Sequence, residues 1–90
     1  MRFQDLTFVE QDTGIKQALV PIGNYKVSVI LEPGKTLYEL AIFDDLNNFI
    51  QFPGIHPAFG EKYSSDVIPY LSPEQVNGLL LKIKTIVGVI

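Results

Sequence analysis

The clearest alternation of hydrophobic and polar positions lies in the middle of the chain. Residues 25–31 alternate as a strand with one buried face does. Pro33 and Gly34 follow, and this pair suits the two central positions of a type II turn. Residues 36–43 then predict a second strand, and residues 49–52 a short third one. The pattern predicts an antiparallel meander.

The N-terminal part of the chain predicts a hairpin that extends this meander. Residues 2–9 and 15–21 are the expected strands, and the polar residues 10–14, which end in glycine, are the expected turn. Pro21 cannot donate a hydrogen bond to a neighbouring strand, so it indicates a strand end or a sheet edge. The sheet is therefore expected to have four to five strands.

Residues 72–88 predict one C-terminal helix. Ser72 suits the N-cap, Pro73 suits the first helical position, and Glu74 and Gln75 complete a capping box. Gly88 marks the expected end, and Leu81 points away from the apolar stripe. The stripe has helical spacing and consists of Val76, Leu79, Leu80, Ile83, Ile86 and Val87. The chain is thus predicted to be a single α+β domain, residues 1–90, with an antiparallel meander and one helix packed on one face.

The strand predicted at residues 36–43 is apolar on both of its sides. One side carries Leu37, Ala41 and Phe43, and the other carries Tyr38, Leu40 and Ile42. A strand of this kind is usually central and covered on both faces, but one helix covers one face. Either the loop at residues 52–65 covers the second face, or a partner or a second copy does.

The loop at residues 52–65 is long for a small domain and rich in aromatic residues. It contains two prolines, two glycines, three aromatic rings and the one histidine of the chain. Loops beyond about 12–15 residues are usually functional or disordered, and the aromatic content argues against simple disorder. We expect Ile55, His56, Phe59 and Tyr63 to contact a partner, because aromatic anchors supply much of the binding energy of interfaces.

Composition and charge exclude several classes of function. The net charge of −3 and the scattered lysines and arginines argue against nucleic-acid binding. The chain has no cysteine, hence no disulfide and no thiolate metal site. The N-terminus does not resemble a signal peptide, and Lys82 and Lys84 interrupt the apolar C-terminal stretch, so no membrane span is expected. A cytoplasmic protein is predicted.

No group of residues in the sequence predicts catalysis. His56 has no partner at a compelling spacing, although Glu61, Tyr63 and Asp66 are available. The serines lack a nucleophile motif and the glycines do not cluster into a phosphate-binding loop. The oxygen-rich residues 44–48 suit a turn better than a calcium loop. We therefore expect no catalytic, metal-binding or cofactor-binding residues, and a protein that is not an enzyme.

Three segments resemble a loose class of small phage-encoded proteins. They are Tyr25–Ile30, Leu37–Asp44 and Asp66–Val76, and residues 1–20 lie outside the resemblance. The resemblance implies two strands and a helix entry. It also implies a protein that binds or redirects a host protein in the host cytoplasm. Because members of this class mostly lack assigned activities, it implies no catalytic residues.

Two functions remain open from the sequence. The first is a non-enzymatic protein-interaction module that binds another protein or itself, as a homodimer. The alternative is a small-ligand-binding protein in which the loop at residues 52–65 closes a pocket over the sheet.

Overall fold

A computed structural model describes residues 3–52, 54–55 and 66–88 of the chain. A 3-10 helix at Phe3–Asp5 comes first. The strands are β1 (Val9–Glu10), β2 (Lys16–Ile22), β3 (Tyr25–Leu31), β4 (Tyr38–Phe43), β5 (Phe49–Ile50) and β6 (Val67–Leu71), followed by the helix α1 (Pro73–Val87). Strands β1 to β5 form an antiparallel meander, and β6 pairs antiparallel with β4. The α+β fold predicted from the sequence is confirmed.

Side-chain alternation divides the sheet into an inner face and an opposite face. The register pairs Val20 with Val27 and Val29 with Leu40, so their side chains share the inner face. Helix α1 packs on this side and contacts β2, β4 and β6. The buried core consists of Val20, Ile22, Val27, Val29, Leu40, Ile42, Ile55, Leu71, Val76, Leu80 and Ile83. The helix therefore covers the face that the alternation in β3 predicts to be buried.

Helix α1 begins and ends where its capping residues predict. The Ser72 hydroxyl accepts a hydrogen bond from the Gln75 N–H at 3.2 Å, and the Gln75 side chain accepts one from the Ser72 N–H at 2.8 Å. At the other end Gly88 has φ 81°, and its N–H donates to the Lys84 carbonyl. Of the predicted apolar stripe, Ile86 is half-exposed. Within the described ranges, no helix is long and apolar enough to cross a membrane.

The prediction of a strand at residues 2–9 is wrong for most of its length. A 3-10 turn, with the Leu6 N–H donating to the Phe3 carbonyl at 3.0 Å, replaces it. Phe3, Phe8 and Tyr38 form an aromatic cluster with centroid distances of 4.9 to 5.8 Å. The Asn77 side chain also accepts a hydrogen bond from the Phe3 N–H. These contacts hold the N-terminal segment against the helix side of the sheet. They involve residues distant in sequence, so the alternation within the segment does not determine its conformation.

Strand β6 is an element that the sequence pattern does not predict. Pro69 within residues 67–71 argues against a regular strand. Its pairing with β4 is in fact irregular, with a register shift between Tyr38 and Leu40. At this irregularity Tyr70 has φ 62° and is exposed, a conformation that bulky residues rarely adopt. The bulge thus accommodates the proline, and β6 still pairs with β4 on the edge that β3 does not occupy.

Strands β5 and β6 share one edge of β4 and position the two ends of the loop at residues 52–65. Strand β5 pairs with Ile42 and Phe43, and β6 pairs with Tyr38 to Ala41. The Gln51 side-chain amide donates to the Asp66 carboxylate at 3.0 Å. The chain therefore leaves and re-enters the sheet at neighbouring positions.

Two adjacent leucines of α1 test the assignment of the core. Leu80 is 0 % exposed and Leu81 is 60 % exposed. Because truncation of a buried leucine leaves a cavity, Leu80→Ala should lower the free energy of unfolding by about 2–5 kcal/mol. The matched control Leu81→Ala should change it by less than about 0.5 kcal/mol. Urea denaturation followed by circular dichroism measures both, and similar losses would contradict this packing.

Candidate functional site

The structure describes one of the four residues predicted to contact a partner. Ile55 is 8 % exposed and belongs to the core, with Phe52 packed against the same cluster. Its side chain contributes to the fold and presents little surface to a partner. His56, Phe59 and Tyr63 lie outside the described residues, so their role stays a prediction.

The described part of the loop at residues 52–65 does not lie on the second face of the sheet. Phe52 and Ile55 join the core on the helix side, and the ring of Phe52 meets Tyr25 edge-on at 5.2 Å. Residues 53 and 56–65 are outside the described ranges. The described residues of this loop therefore leave the second face uncovered.

We call the face opposite α1 the open face. It carries Val9 of β1, Gln17, Leu19 and Pro21 of β2, Lys26, Ser28 and Ile30 of β3, Glu39, Ala41 and Phe43 of β4, Phe49 of β5 and Val67 of β6. Among the described elements, α1 packs on the other side, and none lies across this face. Antiparallel sheets commonly turn polar side chains to water on such a face, but most of these side chains are apolar.

A groove of about 280 Å³ runs across the centre of the open face. Its floor is formed by Ser28 and Ala41, which are register partners and are 5 % and 8 % exposed. The larger side chains of Ile30, Phe43 and Val67 line it. Small residues between large ones create the depression, so the groove follows from the cross-strand register.

The polar atoms at the floor of the groove already have partners. The Gln17 side-chain amide donates to the Ser28 hydroxyl at 2.9 Å, and the Gln11 amide donates to the Gln17 side-chain oxygen at 2.6 Å. No buried side-chain nitrogen or oxygen of the described residues lacks a hydrogen bond. Since these groups are satisfied, the groove offers an occupant mainly apolar contacts.

Exposed apolar side chains flank the groove on two sides. Leu19 on β2 is 58 % exposed, and Phe49 on β5 is half-exposed. The rings of Phe43 and Phe49 pack together with centroids 4.6 Å apart. The two-sided pattern of β4 predicts a second apolar face with Ala41 and Phe43 on it. Leu19, Ser28 and Phe49 are not identifiable from the sequence, because the register across strands brings them together.

Lys26 and Glu39 are the two charged side chains among the open-face residues defined above. The Lys26 ammonium donates to the Asn47 side-chain oxygen at 2.7 Å, and Glu39 lines the groove. Their charges are opposite, so the face as a whole is neutral. A strongly acidic or basic occupant gains no attraction there.

The oxygen-rich residues 44–48 form a turn, as their sequence predicts. One oxygen of the Asp44 carboxylate accepts hydrogen bonds from the Leu46 and Asn48 N–H groups at 2.9 and 2.8 Å. Asn47 takes φ 64°, which asparagine tolerates. The carboxylate is occupied in closing the β4–β5 connection. In the part of the chain that the structure describes, no group of three or more His, Cys, Asp or Glu side chains could hold a metal ion.

Comparisons with known proteins do not identify a relative. Neither protein-family models, nor curated proteins, nor solved structures match the chain. The resemblance to small phage-encoded proteins therefore stays a prediction.

The hydrogen bonds to Asp44 predict an acid-sensitive contribution to stability. The backbone N–H of Asn48, with smaller effects from its side chain, Leu46 and Lys26, holds the pKa of Asp44 below its ordinary value of 3.8. A pKa that is lower in the folded state than in the unfolded state stabilises the fold at pH values above the ordinary pKa. This stabilisation disappears as the pH falls through the folded-state pKa.

Asp44→Asn should therefore lower the free energy of unfolding near neutral pH, and its difference from the wild type should shrink below about pH 4. Urea denaturation at a series of pH values measures this difference. Asp45→Asn, which leaves the hydrogen bonds of Asp44 in place, is the control. A difference between the wild type and Asp44→Asn that stays constant down to about pH 2 would contradict the assignment.

Proposed function

We propose that this protein is a non-enzymatic interaction module whose open face binds another polypeptide. The observation that carries the proposal is the combination of a groove with a buried floor and exposed apolar side chains on both sides of it, Leu19 and Phe49. Groups of exposed apolar residues on a folded domain are typical of interaction surfaces.

The energetics of the open face favour an occupied state. Removing apolar surface from water contributes roughly 25 cal/mol per Å². Leu19, Phe49 and Val9 are more than a third exposed, and each loses contact with water when a partner covers the face. The rigid strands beneath them limit the entropy lost on binding, because their backbone is already ordered.

The chemistry of the groove supports binding over catalysis. Among the described residues that line it, Glu39 is the one ionisable side chain. General acid–base catalysis needs a second positioned group within hydrogen-bond reach of the reacting atoms. The hydroxyl of Ser28, at the floor of the groove, already accepts a hydrogen bond from Gln17.

Site-specific photo-crosslinking tests this proposal without knowledge of the partner. Leu19 is replaced by p-benzoylphenylalanine, and the protein is irradiated in the cells that naturally produce it. Because Leu19 projects from the open face, we expect a crosslinked product of discrete mass. The control places the same amino acid at Leu81, which is 60 % exposed on the helix side.

A second pair of substitutions tests whether the crosslinked product from position 19 depends on the open face. Phe49→Glu should reduce the yield from position 19 about tenfold or more, because it introduces a charge at the far side of the same surface. Leu46→Glu, at an exposed position in the β4–β5 turn, should leave the yield unchanged. Equal yields from positions 19 and 81, or no product from position 19, would refute the proposal.

A small apolar ligand is a second candidate occupant of the groove. The volume of about 280 Å³ lies near the lower end of ligand pockets, and the lining is apolar with a few polar groups. The groove is open to solvent along the sheet, which favours a polypeptide over a ligand that must be enclosed.

Indole, a small aromatic probe, tests this second candidate. If the groove holds small ligands, indole should shift the amide NMR resonances of Ser28 and Ala41 in a saturable manner. Ala41→Leu fills the floor and should abolish the shifts. Shifts that are absent, or that spread evenly over the molecule, would exclude a specific ligand site here.

A further inference from the structure

We propose that the polypeptide bound at the open face is a second copy of this chain, and that the two sheets pack face to face about a two-fold axis. This inference rests on the proposed function and specifies the partner. It follows from the charges of the open face and from their positions in the register.

The neutrality of the open face permits self-association. The chain carries a net charge of −3, so two copies repel each other on average. The open face has one lysine and one glutamate, hence no net charge. Two copies therefore meet through this surface without repulsion between net charges on it, whereas a strongly charged partner finds no complementary field there.

The two charges lie symmetrically about the groove. Ser28 and Ala41 are opposite each other and form a central row across the strands. Lys26, opposite Phe43, lies two residues from this row in one direction along the strands. Glu39, opposite Ile30, lies two residues from it in the other direction.

A two-fold axis that runs parallel to the central row, midway between the two packed sheets, makes these charges complementary. It turns the row that contains Lys26 over the row that contains Glu39 of the partner subunit. Lys26 then faces Ile30 of the partner subunit, with Glu39 of the partner subunit on the adjacent strand, about 4.8 Å to the side. Packed sheets lie about 10 Å apart, a gap that a lysine and a glutamate side chain span together. Two equivalent ion pairs result, one at each end of the groove.

The same charges do not pair within one chain. Lys26 is opposite Phe43, and Phe43 is four residues from Glu39 on β4, which is about 13 Å along a strand. Lys26 and Glu39 therefore complement each other between molecules, while Lys26 also attracts the Asp44 carboxylate of its own chain, whose pKa it helps to lower. The axis also brings Leu19, which lies in the central row beside Ser28, against Leu19 of the partner subunit.

Charge reversal tests the dimer by rescue. Sedimentation equilibrium of the wild type over a range of concentrations up to about 1 mM should show a species of twice 10.1 kDa. Lys26→Glu and Glu39→Lys, each alone, place like charges together and should raise the dissociation constant about tenfold. The double variant Lys26→Glu/Glu39→Lys restores opposite charges and should return it to within about threefold of the wild type.

Two controls separate this effect from loss of folding. Lys82→Glu makes the same charge change at an exposed position of α1 and should leave association unchanged. Lys26→Glu also removes the hydrogen bond to Asn47, but the double variant lacks that bond too, so rescue cannot come from it. Circular dichroism melts verify that each variant is folded.

The outcomes distinguish the dimer from the proposed function. A wild type that stays monomeric at about 1 mM, or a double variant that stays as weak as the single ones, overturns the two-fold dimer. A crosslinked product from position 19 with a mass other than twice that of the chain also overturns the dimer and leaves the proposed function standing. A product of the dimer mass, together with rescue by the double variant, supports both.

Discussion

Burial of one face of the sheet beneath a single helix is the constraint on which the rest of the structure depends. Val27, Val29, Leu40 and Ile42 of the central strands are fully buried, and Leu80 of the helix packs with them. In so small a chain this layer supplies most of the apolar burial that offsets chain entropy. The same arrangement leaves the opposite face without a described layer of its own, because the single helix α1 packs on one face of the sheet.

Strand β4 is central in the sheet because both of its edges are paired. One edge of β4 is paired with β3, and the other is shared by β5 and β6. The irregular register of β6 accommodates Pro69 without leaving β4 at an edge. Both ends of the loop at residues 52–65 meet at this shared edge through Gln51 and Asp66. The phenylalanine and isoleucine at the start of that loop are part of the helix-side core, and they strengthen the layer that already exists.

The open face combines three properties that belong together in an interface. The floor of its groove consists of small side chains with satisfied hydrogen bonds, the sides of the groove are mostly apolar, and the two charges of the face cancel. In the proposed interface, apolar contact provides affinity, and the placement of the charges provides orientation. Neither property requires reactive chemistry, and Glu39 is the one ionisable group among the described residues that line the groove. The surface is thus suited to recognition.

The sequence by itself determined the elements whose signals are local. Alternation in β3, the apolar run of β4, the turn at Pro33 and Gly34, and the caps of α1 each depend on neighbouring residues, and the structure confirms them. The two-sided pattern of β4 also indicated that a second apolar face exists. Only the tertiary structure decided that residues 3–5 form a 3-10 turn, that residues 67–71 form a strand, and that Ile55 is in the core. It also decided which side chains make up the groove. These features arise from contacts between residues distant in sequence. The local pattern of the chain does not reveal the energies of such contacts.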